Sequence, residues 1–213
     1  MERWTASAVH EPGRVACRPP RETAAPVTAA RKTVEMATLV APHLTYHSSV
    51  VQAMAEHQAE GRLVELSATH LSEPAEFEIY VERLRAEELE DSTRPVGMVP
   101  QTTLWWVEGN GYLGRLSIRH RLTDHLLRVG GHIGYEVRPT ARRRGHATAM
   151  LRASLPHAQR LGIDPALVTC DDTNIASKTV IERNGGQLEN LLDGKLRYWV
   201  PTSGLSPDQR RSA

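Results

Sequence analysis

The chain has 213 residues, 40% of them hydrophobic, and its 26 basic and 25 acidic side chains leave a formal net charge of +1. That length gives one ordinary domain plus tails, the balanced charge gives no overall attraction to nucleic acid, and no apolar run approaches the roughly 18 residues a membrane span needs. The N-terminus lacks the apolar core of a signal peptide, so a cytoplasmic location is the expectation. Cys17 and Cys170 are the two cysteines; no Cys/His spacing suits zinc, and no metal is expected.

Residues 1–36 read as a disordered arm. Before Met36 they contain no Leu, Ile, Phe or Tyr, too little apolar surface to offset ordering entropy. Met36 opens the globular composition and reads as an alternative translation start. Residues 37–200 read as a single domain and 201–213 as a flexible tail.

Within the domain, Leu39 to Leu44 suggests a strand and Ser48 to Gly61 a helix. Glu73 to Glu90 is a second helical stretch carrying Phe77, Ile79, Tyr80, Leu84 and Leu89. Thr103 to Glu108 and Tyr112 to His120 read as strands around the Asn110-Gly111 turn. Trp105 and Trp106 point to opposite faces, one into the core and the other covering the sheet or lining an acceptor pocket. Arg119 and His120 end this hairpin on the expected acceptor side. His132 to Val137 is a strand. Gly145 to Leu161 is a helix with Ala147, Leu151, Leu155, Ala158 and Leu161 on one stripe and Pro156 inside it. Ala166 to Cys170 is the next strand. Asn174 to Arg183 is a helix capped by Asp172 or Thr173 and stopped by Asn184-Gly185-Gly186. Gln187 to Leu192 and Lys195 to Val200 form a last hairpin. The order predicts a mixed α/β fold: a twisted sheet with helices on both faces and a parallel, right-handed strand–helix–strand unit.

The segment Val137-Arg138-Pro139-Thr140-Ala141-Arg142-Arg143-Arg144-Gly145-His146-Ala147 leaves a strand, turns through four arginines and opens a helix at a glycine. The unpaired N–H groups of a helix start carry the positive end of its dipole, a setting suited to a pyrophosphate. Gly145 lets an anion approach the backbone.

Two patterns together resemble the GNAT superfamily of acyl-CoA-dependent N-acetyltransferases. Arg142-x-x-Gly145-x-Ala147 is similar to that family's acyl-CoA loop. Asn174-x-x-Ser177-x-x-Val180-Ile181-Glu182-Arg183-Asn184-Gly185 is similar to its later helix. The resemblance implies a central mixed sheet splayed where acyl-CoA binds, with acetyl-CoA as co-substrate and an amine as acceptor. It places the pyrophosphate on the backbone of Arg143, Arg144, Gly145, His146, Ala147 and Thr148, and the pantetheine arm along Tyr135 to Val137. The thioester carbonyl falls near the Val137 amide, and the Asn174 side chain meets the pantetheine beside Ser177. Lys178, Arg138 or Arg142 would meet a phosphate oxygen.

The sequence departs from the family where the acid and base usually sit. Ile181 stands where many relatives have a tyrosine that protonates the leaving thiolate, and Thr169 where some have a glutamate base. Tyr135, Glu136, His132, His120, Ser177 and Cys170 are substitutes; Glu136 or His132, acting through water, is the preferred base. If thiolate protonation limits turnover, Ile181→Tyr is expected to raise kcat. The leading reading is acetyl transfer to a primary amine of a small molecule, peptide or protein by direct attack in a ternary complex. A catalytically silent acyl-CoA sensor is the alternative, and a partner- or nucleic-acid-binding use of the basic loop is the third. No nucleic-acid or membrane partner is expected, and a homodimer is compatible with the sequence.

Overall fold

The computed structural model describes residues 36–203. The arm read over residues 1–36 lies outside them except for Met36, and the tail except for residues 201–203.

Strand β1 (Thr38–Val40) stops short of Pro42 and pairs antiparallel with β2 (Gln101–Glu108). Helix α1 (His47–Ala59) buries Val50, Ala53, Met54 and His57, the i, i+3, i+4, i+7 stripe of an amphipathic helix. Two short helices escape the periodicity argument: α2 (Ala68–Leu71), capped by Ser67, and later α4 (Asp124–Arg128), capped by Thr123. Helix α3 (Pro74–Ala86) begins with Pro74 in its first turn and buries Phe77, Tyr80, Val81 and Leu84. It ends before the acidic run that follows, where carboxylates would oppose the negative end of the dipole.

The hairpin of β2 and β3 (Gly111–Arg119) sets the two tryptophans on opposite sides. Trp105 packs edge-on to Tyr112 and near Phe77, in the core under α1 and α3. Trp106 belongs to the second core with Leu116, Ile118 and Met150. Both indoles are buried, at 1% and 5% exposure, so neither lines an open acceptor pocket. Strand β4 (Ile133–Val137) pairs antiparallel with β3.

Helix α5 (His146–Arg160) runs on through Pro156, whose exposed ring and the exposed Arg152 one turn earlier leave the unpaired carbonyl facing water. Its buried face is Met150, Leu151, Ser154 and Ala158, turned from the expected stripe so that Leu161 is exposed. Ser154 is tolerated there because its hydroxyl donates to the Leu151 carbonyl at 2.7 Å. Strand β5 (Ala166–Asp171), helix α6 (Ile175–Glu182) and strands β6 (Gln187–Leu192) and β7 (Lys195–Val200) complete the fold.

The strands form two antiparallel sheets, β1-β2-β3-β4 and β5-β7-β6. Strand β7 inserts between β5 and β6, so the last hairpin supplies the partner β5 would otherwise lack. The expected parallel pair, β4 beside β5, has no strand ladder. The two sheets meet where His132 N–H donates to the Leu167 carbonyl at 2.7 Å and the Leu167 N–H donates to His132 Nδ1 at 2.9 Å. Gly131, at φ +63°, is needed at this seam because a Cβ would collide with the Leu167 carbonyl. The Thr169 hydroxyl clasps the seam again by accepting from the Gly130 N–H at 3.0 Å. The sheets then diverge, giving the mixed α/β fold with the expected splay. Among the described residues, no helix is long and apolar enough to cross a membrane.

Candidate active site

A cleft of about 790 Å³ lies at the splay, walled by the end of β4, the turn into α5 and the exposed face of α6. Of the residues singled out in the sequence, Tyr135, Glu136, Val137, Arg142, Arg143, Gly145, His146, Ala147, Thr148, Asn174 and Ser177 line it. Arg138, Arg144, Lys178 and His132 do not.

The turn is built for an anion. Arg143 has φ +64° and Gly145, the N-cap of α5, has φ +82° with nothing within 4 Å of the position a Cβ would take. Left-handed residues in such turns gather successive N–H groups into a concavity, and here the N-terminus of a 15-residue helix adds its dipole. His146 Nδ1 accepts from the buried Trp106 indole N–H at 3.1 Å. With Nδ1 accepting, the ring presents an Nε2–H donor to the cleft.

Arg138 is committed elsewhere. Its guanidinium donates to Glu56 of α1 at 2.6 and 2.8 Å and to the Ser49 hydroxyl at 3.2 Å, which ties the turn to α1. Arg142 donates to Glu60 at 2.9 Å and to the Val137 carbonyl at 3.3 Å, while its Nη2 is buried without a hydrogen-bond partner among the described residues. Lys178 lies on α6, 4.0 Å from Glu182 one turn on.

Burial alone would raise the Glu56 carboxyl, but hydrogen bonds from Arg138 and Thr140 outweigh it and hold the group below its ordinary range. A depressed carboxyl contributes stability above its unfolded-state value and loses it as the pH falls through the lowered one. Glu56→Gln is therefore expected to cost about 2 kcal/mol near neutral pH and to flatten the acid limb of stability. Urea unfolding of both proteins at several pH values checks this.

The two faces of β4 differ. Tyr135 points toward α6, where its hydroxyl lies 2.7 Å from the Ser177 hydroxyl; burial pushes it up to about 12, less a small opposing effect of Ser177. Cys170 is buried nearby, and burial raises its thiol. Glu136 points the other way, toward α1, in register with Arg115 of β3. Arg62, just after α1, donates to its Oε1 at 2.9 Å, Arg115 lies 3.5 Å from Oε2, and His57 Nδ1 lies 3.8 Å from Oε1. His57 and Arg62 carry no motif. The only signal that could have found His57 is its spacing three residues after Met54 and seven after Val50, on the face that α1 buries.

His132 sits at the seam, its Nδ1 occupied by the Leu167 N–H, with burial and Arg119 lowering its basicity. It is a structural clasp outside the cleft rather than the base the sequence suggested. Arg119 likewise donates to the Gly130 and Gly131 carbonyls at 3.1 Å, and His120 lies 2.9 Å from the Thr102 hydroxyl; neither lines the cleft. Asn174 is itself the N-cap of α6, its side-chain oxygen accepting from the Ser177 N–H at 3.0 Å, which replaces the expected Asp172 or Thr173 cap and leaves its NH₂ for the cleft.

Ile181 is fully buried in the core and backs onto Gly186, where a Cβ would collide with it. A tyrosine at this position would overpack the core rather than reach the cleft, which revises the expected gain in turnover. Ile181→Tyr is expected to lower stability by about 1–3 kcal/mol with no rise in kcat, as melting and thiol-release rates would show. Among the described residues, no group of three or more His, Cys, Asp or Glu could hold a metal ion.

The family profile described as an acetyltransferase (GNAT) domain matches residues 14–187. No curated protein matches the sequence. Among solved structures, RimJ of Mycobacterium smegmatis in complex with CoA-disulfide is similar, at TM-score 0.58 and 18% identity, covering 79% of this chain and 83% of its own. The microcin C7 self-immunity acetyltransferase MccE, with acetyl-CoA and AMP, matches at TM-score 0.53 and 15% identity over 78% and 92% of the two chains. The protein yncA of Salmonella typhimurium, with acetyl-CoA, matches at TM-score 0.51 and 12% identity over 80% and 96%. At these identities the likeness is one of fold, and the matched profile, which spans most of the sequence, carries the assignment: the chain belongs to the GNAT acetyltransferase family.

Proposed function

We propose that this acetyltransferase moves an acetyl group from acetyl-CoA to a primary amine by direct attack within a ternary complex. The observation that carries the reading is the cleft itself. Beyond the His132–Leu167 seam, β4 has no strand partner on its open side among the described residues, and that edge leads to the N-terminus of α5. An unpaired edge takes an extended amide-bearing chain such as pantetheine, and the helix start takes a pyrophosphate. The similar structures that hold acetyl-CoA or CoA support the choice of donor.

The turn from Arg143 to Thr148 binds the diphosphate with its N–H groups, helped by His146 Nε2–H. The Val137 amide is the candidate oxyanion donor, and Asn174 meets the pantetheine through its free NH₂. Glu136 is the candidate base, because it reaches the cleft from the face opposite α6, where an acceptor would enter past Arg62. The amine nitrogen attacks the thioester carbon, the C–S bond breaks with its electron pair on sulfur, and the amine gives up a proton. Tyr135, pushed up to about 12, is a weak acid toward a thiolate of ordinary pKa near 8.5. Its role is to position Ser177, and water protonates the departing sulfur.

Isothermal titration with acetyl-CoA tests the reading. Saturable one-site binding, followed by thiol release over a panel of amines, is the expected result; no heat and an unchanged Tm would overturn it. The core-buried Ile181 favours a second reading, acyl-CoA binding without turnover, which predicts binding and no thiol release with any amine.

A further inference from the structure

His57 of α1 is 1% exposed, and its Nδ1 is buried with no hydrogen-bond partner among the described residues. An unsatisfied buried nitrogen of this kind is costly and calls for an explanation. Glu136 Oε1 lies 3.8 Å away, roughly 1 Å beyond a charge-assisted hydrogen bond. Catalytic hydrogen bonds are often this long before substrate binds.

The charges around the pair give the gap a meaning. Arg62 engages Glu136 Oε1 and Arg115 approaches Oε2, so both oxygens of the carboxylate face guanidinium groups. A proton taken up by Glu136 would sit among cations. His57 Nδ1, 3.8 Å from the same oxygen, offers it a second place when the ring's own proton is on Nε2. Burial lowers the basicity of His57, Glu136 opposes that effect, and Arg142, Arg62 and Arg115 reinforce it. Tyr80 from α3 and Tyr112 from β3 flank Arg115, and burial keeps both hydroxyls protonated. The ring is neutral at neutral pH and free to accept.

Resting on the reading of Glu136 as the base, we infer that His57 is the proton-holding partner of Glu136. As the amine nitrogen bonds to the thioester carbon and sulfur leaves with the C–S electron pair, one N–H proton passes to Glu136 Oε1 and from there to His57 Nδ1. The result is an imidazolium beside a carboxylate, and before the next turnover the proton returns through Glu136, which lines the cleft, to solvent. His57 acts through Glu136 and does not touch the substrate.

The test uses the full chain, acetyl-CoA and water as nucleophile, since slow thioester hydrolysis needs a proton removed in the same place. His57→Asn keeps a polar group where Nδ1 stands but cannot hold a proton. Its thiol release is expected to fall about 10- to 100-fold, and the acid limb of its pH profile to move down toward the carboxylate range, while acetyl-CoA affinity by titration stays within about twofold. An unchanged pH profile with intact binding would overturn the inference. Failure of the wild-type protein to bind acetyl-CoA would instead overturn the proposed function. A second measurement needs neither turnover nor that variant: NMR titration of the His57 ring in wild type and Glu136→Gln. Removing the carboxylate is expected to lower the ring's midpoint, and identical midpoints would also overturn the pairing.

Discussion

Gly145→Asp is expected to weaken acetyl-CoA binding at least about 100-fold, because a carboxylate some 4 Å from a phosphate charge costs about 4 kcal/mol at an effective dielectric of 20. The fold should survive. Nothing lies within 4 Å of the position a Cβ would occupy, so the first atom of the new side chain has open space. The left-handed φ of +82° costs most side chains about 1–2 kcal/mol, but Asp and Asn visit that region more readily than others. A carboxylate at the N-cap of α5 also interacts favourably with the helix dipole, returning about 0.3–1 kcal/mol. The charge that stabilises the helix start thus competes with the ligand for it. Gly145→Asn separates the two effects: it carries the same backbone strain, Cβ and nearly the same shape without the charge, and should bind more tightly than the aspartate variant. Titration of the three proteins with acetyl-CoA, together with their Tm values, decides the matter. If aspartate, asparagine and the wild type all bind alike, the pyrophosphate does not sit on this turn.

Much of the frame was legible because its signals are local. The Asn110-Gly111 turn, the last hairpin and helices α1, α5 and α6 follow from turn chemistry and apolar period, and their ends fall within a few residues of those expected. The Arg142-to-Ala147 turn could be read because a left-handed glycine ahead of a helix is written in adjacent residues. What could not be read depends on pairing across the chain. The insertion of β7 between β5 and β6 leaves no trace in a hairpin's own sequence. His132 alternates with Glu136 and seemed its equal, yet the seam with Leu167 consumes the histidine and leaves the glutamate in the cleft. Ile181 stands at a motif position, but the helix rotates it into the core, so a motif match fixed its place in the chain without fixing where its side chain points. His57 near the end of α1 and Arg62 just after it lie more than seventy residues before Glu136, and only the packing of that helix over β4 brings them together.

That convergence sets the second large effect. Glu136→Gln is expected to lower kcat about 100-fold or more, the usual contribution of a positioned base, with acetyl-CoA affinity nearly unchanged because the side chain faces away from the α6 wall of the cleft. Glutamine keeps the shape and can still accept from Arg62, so a purely structural carboxylate would tolerate the exchange in rate while losing stability. Some stability will be lost in either case: Arg115 is largely enclosed between β4 and the tyrosines, and a guanidinium deprived of its carboxylate costs about 1–3 kcal/mol. The two quantities must therefore be measured separately, kcat well below the variant's Tm and stability by urea unfolding. A fall in kcat/KM that tracks kcat, with acetyl-CoA binding intact, marks an interaction made only in the transition state. A loss of stability with an unchanged kcat would show that Glu136 holds α1 to the sheet and does not take the proton, and the search for the base would then move to the acceptor itself, whose amine would have to arrive already neutral in a pocket walled by Arg62 and Arg142.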